Sequence, residues 1–154
     1  MLEAWPDAAK QLDGIGETIR HILSVELRSA PLLTNPALVV DYLLGHAGRR
    51  VAEQVIALYL DGSGYLMRDE VVSVGSISKA PIHPREIVRR ALELGSTSII
   101  VAHNHPGGDP SPSEQDILVT RDLAAAAKLF EIELFDHFIV ARTGWTSLRA
   151  EGLI

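Results

Sequence analysis

The sequence predicts an α/β fold built around a mixed central sheet. Segments with strand periodicity alternate with amphipathic helical segments along most of the 154 residues, which is the pattern of layered α/β domains. Two short runs, Gln54–Leu60 and Ser98–Ala102, are apolar at nearly every position, so each is expected to be a strand covered on both faces. The chain is 47% hydrophobic and 22% charged, which is typical of a globular domain with one core.

The N-terminal residues 1–32 are predicted to form a short helical segment ahead of a main domain that spans residues 33–154. Trp5–Leu12 and Glu17–Leu27 have helical patterns, and the glycines in the intervening Asp13–Gly16 suit a tight turn. The boundary falls where two prolines flank a short polar stretch, in the sequence SAPLLTNPA. We therefore expect two short helices, followed by the main domain.

The main domain is predicted to interleave helices with strands. Residues Asp61–Gly64 (DGSG) have the composition of a hairpin turn. Ser111, Pro112 and Glu114 match a capping box with proline at the first helical position, so a long helix is expected to begin there. In chain order the expected elements are a helix from Pro36 to about Leu44 capped by Asn35, strands Gln54–Leu60 and Tyr65–Val74, a helix Pro84–Leu94, a strand Ser98–Ala102, the helix with the capping box, whose core-facing stripe runs from Val119 to Phe130, and strands Glu131–Ala141 and Trp145–Leu148.

Composition excludes several classes of protein. The chain has no cysteine, so disulfides, thiolate zinc knuckles and cysteine nucleophiles are excluded, and a metal would have to bind His, Asp or Glu. No apolar run approaches the ~20 residues of a membrane span. The N-terminus lacks the basic and apolar regions of a secretory signal, so a cytoplasmic location is expected. The net charge of −6 disfavours a phosphate backbone as the main partner.

The stretch HNHPGGDPSPSEQD at positions 103–116 contains the residues of a candidate hydrolytic zinc site. His103 and His105 lie two apart in an extended segment, so both rings point to the same side and can converge on one ion. Asp116 falls on the stripe of the following helix that becomes apolar toward its C-terminus, and therefore points inward. Two imidazoles and a carboxylate leave the fourth zinc position open to water, which is typical of catalytic sites. The alternative is a pair of structural histidines on a polar loop.

Three further residues have both a functional and a structural interpretation. Ser113 can donate to an oxyanion at the metal, or serve only as a helix-capping hydroxyl. Glu53, at the start of the strand Gln54–Leu60, is the best candidate for a general base that is not itself a ligand, or is a solvated strand end. Asp136 and His137 are adjacent in a strand and point to opposite faces. One of them can orient a metal ligand, although a structural role is the favoured interpretation.

With these residues in place, the chain resembles the JAMM/MPN+ metalloprotease superfamily and, within it, the bacterial RadC family. The superfamily pattern is a glutamate at the start of a strand, then H-x-H, seven residues, serine, two residues and aspartate, and the sequence matches it without a gap. Features similar to RadC surround it between about Leu33 and Ile154: IHPRE at 82–86, HNHPGGDPSPS at 103–113, FDHFIV at 135–140 and the tail at 147–153.

The resemblance implies a fold, a set of roles and a cofactor. The implied fold is the JAMM/MPN α/β/α sandwich, related to that of the cytidine deaminases. Glu53 would be the general base or acid and Ser113 the residue that stabilises the transition state. His103, His105 and Asp116 would bind Zn²⁺. The sequence thus predicts a zinc-dependent hydrolase that cleaves an amide or isopeptide bond in a protein or peptide substrate. The substrate itself and the oligomeric state are left open.

The alternative hypothesis is a DNA-associated accessory protein with a structural or vestigial metal site, in line with the RadC family's link to DNA repair. RadC-like proteins carry a helix-hairpin-helix region ahead of the JAMM domain, and LDGIG at 12–16 resembles one such hairpin in a truncated segment. Residues 1–32 contain three basic and five acidic side chains, a net charge of −2, so DNA binding there is not supported by charge. Packing against the main domain is the favoured role of this segment.

Overall fold

The computed structural model describes residues 6–47, 52–75 and 81–154. The helices and strands, in chain order, are α1 (Pro6–Ser29), a 3₁₀ turn (Leu32–Thr34), α2 (Pro36–Ala47), β1 (Gln54–Leu60), β2 (Leu66–Val74), α3 (Pro84–Leu94), β3 (Ser98–His105), α4 (Glu114–Lys128), β4 (Glu133–Ala141) and β5 (Gly144–Ser147). Strands and helices interleave from β1 onward, so the α/β class is confirmed.

The strands form one mixed sheet in the order β2-β1-β3-β4-β5. β1 pairs with β2 and with β3 antiparallel, and β5 pairs antiparallel with β4. β3 and β4 are parallel because α4 returns the chain to the other end of the sheet between them. β3 is therefore the central strand, and its C-terminal end carries the histidines of the motif.

Helices cover both faces of the sheet. Alternate residues of β1 point to opposite faces, so Ile56 and Leu58 pack with buried side chains of α2, while Val55 and Ala57 pack with those of α3 and α4. Burial of both faces explains why β1 is apolar throughout and fully buried. The result is the predicted α/β/α sandwich. In the described part of the chain, no helix has the length and apolar character needed to cross a bilayer.

The N-terminal segment differs from its prediction. A single helix, α1, runs through Asp13–Gly16, where a turn between two helices was expected. Gly14 has no positive φ and accepts a hydrogen bond from the Thr18 hydroxyl across one helical turn. A mid-helix glycine costs about 1 kcal/mol relative to alanine, and packing of the C-terminal half of α1, with Leu27 buried in the core, offsets that cost. Residues 6–29 thus contain no helix-hairpin-helix, and Trp5 lies outside the described residues.

The ends of several other elements also differ from the prediction. α2 continues through Gly45, since this glycine admits Leu23 of α1: an added Cβ would lie 2.7 Å from the Leu23 Cδ1 atom. Phe130 follows the end of α4 and is 53% exposed, so the core-facing stripe ends at Ala127. β3 extends three residues beyond Ala102 to His105. Both motif histidines therefore belong to the central strand and not to a loop.

Two ion pairs fix helices to the edge strand β2. Arg28 of α1 donates to the Asp69 carboxylate at 2.5 Å, and the Tyr42 hydroxyl of α2 donates to the other oxygen of the same carboxylate at 2.5 Å. On the opposite face, Arg90 of α3 binds Glu70 with its Nε and Nη2 atoms at 3.0 and 2.6 Å. Asp69 and Glu70 are neighbours and point to opposite faces. Each helical layer is thus tied to β2 by one carboxylate.

Candidate metal centre

Three side chains that can bind a metal converge between the end of β3 and the start of α4. The Nε2 atoms of His103 and His105 lie 2.9 Å apart. The Asp116 carboxylate lies beside them, with Oδ1 3.4 Å from His103 Nε2 and Oδ2 3.7 Å from His105 Nε2. Among the described residues, these form the one group of three His, Asp or Glu side chains whose ligand atoms lie within 4.8 Å of one another. The metal ligands predicted from the sequence are thus brought together.

The spacing of these atoms fits a tetrahedral metal. Ligands about 2.0–2.1 Å from a tetrahedral zinc ion are about 3.3–3.4 Å from each other. The observed separations of 2.9, 3.4 and 3.7 Å scatter around that value. Nitrogen and carboxylate donors without thiolates are compatible with zinc and with several other divalent metals. The group can therefore hold a metal ion without rearrangement of the backbone.

Local backbone structure explains why the two histidines share a face. Both lie in β3, where residues two apart point the same way. The His105 Nδ1–H donates to the carbonyl oxygen of Asp109 at 2.8 Å, in the loop that follows the strand. The imidazole is thereby held with Nε2 directed at Asp116. This loop also contains Gly108, whose φ of 93° lies in the left-handed region that favours glycine.

Ser113 is the N-cap of α4, and this corrects the predicted position of the capping box. The Ser113 Oγ accepts from the Asp116 N–H at 3.1 Å, and the Asp116 Oδ2 accepts from the Ser113 N–H at 2.8 Å. The predicted cap, Ser111, instead donates through its N–H and its hydroxyl to Asp109 Oδ1. Ser111 does not cap α4, because its N–H and its hydroxyl are both hydrogen-bonded to Asp109. The capping function that the sequence left open for Ser113 is therefore confirmed.

The same capping box orients the carboxylate of the site. The Ser113 hydroxyl donates to Asp116 Oδ2 at 2.6 Å, in addition to the bond from the Ser113 N–H. Asp116 Oδ1 is the oxygen nearer to His103. Oδ2 is therefore bonded to the helix cap, and Oδ1 faces His103. Ser113 thus both caps α4 and orients the carboxylate of Asp116.

The surroundings of His103 and Asp116 favour the protonation states that a metal requires. Burial lowers the pKa of His103 to about 4, so this ring is neutral at pH 7. Burial acts to raise the pKa of Asp116, but hydrogen bonds from His105 and Ser113 hold it well below its usual value, and the carboxylate is ionised. The neighbouring Asp116 carboxylate raises the pKa of His105, so a metal ion would compete with a proton at this ring. A neutral imidazole and an ionised carboxylate are the forms that bind metal ions.

Glu53 is buried beside this group and is not a solvated strand end. It is 8% exposed and immediately precedes β1. The antiparallel pairing of β1 with β3 ends at Val55 and His103, so Glu53 and His105 each lie two residues beyond the last pair, at the same end of the two strands. The negative charge of Glu53 contributes to the raised pKa of His105. A carboxylate that is not one of the three clustered ligands thus adjoins them.

His137 is a residue of this site to which the sequence gave a structural role. It lies on β4 in register with Val101 of β3, is 0% exposed, and its Nε2 is 2.7 Å from His103 Nδ1. Its Nδ1 is 2.6 Å from the Thr120 Oγ1 atom of α4. Asp136 points to the other face and accepts hydrogen bonds from the Ser147 hydroxyl and the Arg149 N–H. The motif FDHFIV indicated a pair on opposite faces, but not which of the two contacts the site.

Comparison with known proteins agrees with this geometry. The model of the RadC-like JAB domain family matches residues 33–153. The chain belongs to the RadC family. It is 41% identical over 140 residues to UPF0758 protein NMC1174 of Neisseria meningitidis serogroup C / serotype 2a and, equally, to UPF0758 protein NMB1038 of Neisseria meningitidis serogroup B.

The chain corresponds to only part of the length of these relatives. Each alignment covers 91% of this chain and 62% of the relative, so the chain spans less than two thirds of the length of the curated relatives it matches. Their names state no activity or substrate. RadC-like JAB domains are related to the JAMM hydrolases, and His103, His105 and Asp116 form a group that could hold a metal ion.

Proposed function

We propose that this RadC-family protein is a zinc-dependent hydrolase that cleaves amide or isopeptide bonds in a protein or peptide substrate. The observation that carries the proposal is the pairing of a three-ligand metal group with a buried carboxylate, Glu53, that lies beside it and is not one of the three ligands. A structural metal gains nothing from an open ligand position and an adjacent base, whereas hydrolysis needs both.

His103, His105 and Asp116 would hold the metal. When bound, zinc supplies an activated water molecule and polarises the carbonyl of the substrate. The three residues come from two rigid elements, since two lie on the central strand and the third in the first turn of α4. This rigidity favours catalysis because ligands fixed in advance need no reorganisation when the substrate binds.

Glu53 would move the proton. An attacking water must lose a proton to a nearby base, and the leaving amine must gain one. The carboxylate of Glu53 could perform both transfers, because it is buried near His105, and its backbone is fixed by the Gly75 N–H, which donates to the Glu53 carbonyl oxygen at 2.9 Å. Burial excludes bulk water from this carboxylate and so keeps the proton for the amine.

Ser113 would stabilise the oxyanion and hold Asp116. In the structure its hydroxyl donates to Asp116 Oδ2, so the second role is already present. To donate to an oxyanion, the hydroxyl rotates about its Cβ–Oγ bond, while the N–H of Ser113 continues to hold Asp116 Oδ2. The cap is therefore maintained when the hydroxyl is used elsewhere.

The test separates metal binding from turnover. Purified parent protein, His103→Ala, Asp116→Ala and Glu53→Gln are compared for zinc content and for hydrolysis of a mixture of fluorogenic peptides and ubiquitin-like isopeptide conjugates. Zinc is expected at about one equivalent in the parent and in Glu53→Gln, and is expected to be lost in the other two. Turnover is expected to fall by about 10²–10⁴ in Glu53→Gln. Glu70→Gln, a carboxylate variant on β2, is the matched control and keeps both properties.

Two outcomes would overturn the proposal. The first is a parent protein that binds no metal under zinc-replete conditions. The second is hydrolysis that is equal in the parent and in Glu53→Gln.

The alternative function in DNA association has no supporting observation among the described residues, because residues 6–29 form one helix instead of a hairpin and the chain has a net charge of −6.

A further inference from the structure

A chain of hydrogen bonds connects the backbone of α4 to the metal-binding face of His103. It starts at the carbonyl oxygen of Asp116, which accepts from the hydroxyl of Thr120 one helical turn later. Thr120 Oγ1 is 2.6 Å from His137 Nδ1, and His137 Nε2 is 2.7 Å from His103 Nδ1. Thr120, His137 and His103 are each at most 1% exposed. Water does not reach these contacts to satisfy them in another way.

The position of each proton follows from the first bond. The Thr120 hydroxyl has one hydrogen, which it donates to the Asp116 carbonyl, so Oγ1 can only accept from His137. His137 therefore carries a hydrogen on Nδ1, and in its neutral form Nε2 has a lone pair. That lone pair accepts from His103, which places the His103 hydrogen on Nδ1. The remaining lone pair of His103 is then on Nε2, the atom that faces His105 and Asp116.

We propose that His137 and Thr120 are positioning residues that hold His103 as its Nδ1–H tautomer, with the Nε2 lone pair aimed at the metal. The inference rests on the proposed metal site and deepens it. If the order of protons were reversed, His103 would present an N–H to the ion and could not bind it. Metal-binding histidines commonly have such a partner on the second ring nitrogen, most often a carboxylate or carbonyl. Here another histidine takes that place.

His103 and His105 are thus oriented by different hydrogen-bond partners. His105 donates to a backbone carbonyl of the loop, that of Asp109. The carboxylate nearest to His137 in sequence, Asp136, points to the opposite face of the sheet and is engaged with Ser147. The uncharged side chains of Thr120 and His137 suit the apolar layer between β3 and α4, where the buried neighbours include Val101 and Leu123. A buried carboxylate in this layer would need a compensating charge.

Two substitutions of Thr120 provide the most direct test, because valine removes its hydrogen bond while serine changes its shape. Thr120→Val keeps the shape and removes Oγ1, whereas Thr120→Ser keeps Oγ1 and removes the methyl group. Long-range ¹H–¹⁵N correlation spectra of the metal-free proteins report the tautomer of His103 directly. The Nδ1–H form is expected in the parent and in Thr120→Ser, and a mixture of both tautomers in Thr120→Val. An Nε2–H form in the parent would overturn the inference.

Metal affinity provides the second readout. With Co²⁺ as the probe, followed by its visible absorption, we expect Thr120→Val to bind about 10-fold more weakly than the parent and Thr120→Ser to match the parent. His137→Phe is expected to lose about 10- to 100-fold. His137→Gln, whose amide oxygen can accept from His103, is expected to recover part of that loss. Circular dichroism checks the fold, and if His137→Phe is unfolded, the two Thr120 variants decide.

The outcomes distinguish this inference from the proposed function. If the parent binds no Co²⁺ or Zn²⁺, the proposed function fails, while the spectra still decide the tautomer. If the parent binds metal and both Thr120 variants bind equally well with an unchanged His103 tautomer, the positioning inference fails and the metal site stands. Weaker binding in Thr120→Ser than in Thr120→Val would assign Thr120 a packing role and would likewise overturn the inference.

Discussion

Asn104 holds the backbone on both sides of Glu53. Its side-chain Oδ1 accepts from the Gln54 N–H at 2.8 Å, and its Nδ2 donates to the Ala52 carbonyl at 3.2 Å. Asn104 lies between the two histidines on β3, and its side chain points to the other face. Three consecutive residues of β3 therefore supply two candidate metal ligands and the anchor of the proposed base.

Asn104→Ala is expected to misplace Glu53 without removing the metal. The substitution leaves the buried Gln54 N–H without its acceptor, which costs about 1–3 kcal/mol of the free energy of unfolding. Zinc content is expected to stay near that of the parent, while turnover falls. Urea unfolding, metal analysis and the peptide assay are the measurements. Loss of zinc together with activity would show that Asn104 acts on the histidines and not on Glu53.

Ser113→Ala is expected to weaken both α4 and the metal site. Removing an N-cap hydroxyl costs about 1 kcal/mol, and Asp116 Oδ2 loses its hydroxyl partner. Thermal unfolding and Co²⁺ titration measure the two effects. Ser111→Ala is the matched control, because Ser111 bonds to Asp109 outside the helix and its loss is expected to leave both values nearly unchanged. A larger effect of Ser111→Ala would restore the capping box predicted from the sequence.

The ion pair between Glu70 and Arg90 is expected to make stability depend on pH. The hydrogen bond from Arg90 lowers the pKa of Glu70 in the folded state. A lowered folded-state pKa stabilises the protein above the unfolded-state value of about 4.5, and this contribution is lost as the pH falls through the folded-state value. Glu70→Gln is expected to cost at most about 1 kcal/mol at pH 7. Urea unfolding should show this difference shrinking below pH 4, and a constant difference would contradict the assignment.

Gly14→Ala is expected to stabilise α1. Space around an added Cβ is open at this position, φ is not positive, and alanine is favoured over glycine in a helix by about 1 kcal/mol. A rise in the midpoint of thermal unfolding would support the continuous helix. Gly95→Ala is the control: Gly95 ends α3 with a φ of 68°, so alanine there is expected to destabilise. Destabilisation at both positions would indicate a turn at Gly14.

Most strands, and the convergence of the three candidate ligands, could be predicted from the sequence because both depend on local periodicity. β1 and α3 begin and end where the pattern of apolar residues predicts. His103 and His105 share a face because they are two apart in a strand, and Asp116 points inward because it lies on the core-facing side of α4. Helix ends were less certain, since serines at 111 and 113 both precede an acidic residue at the spacing of a capping box.

Only the tertiary structure decided what surrounds the ligands. The antiparallel pairing of β1 with β3 brings Glu53 near His105 from about fifty residues upstream, and the parallel pairing of β4 with β3 brings His137 into contact with His103. The packing of α4 on the sheet adds Thr120. Which strands are neighbours and where α4 packs depend on contacts between segments far apart in the chain, so the pattern within one segment does not identify these neighbours. The sequence by itself determined the residues that could bind a metal, and the fold decided which side chains lie against them.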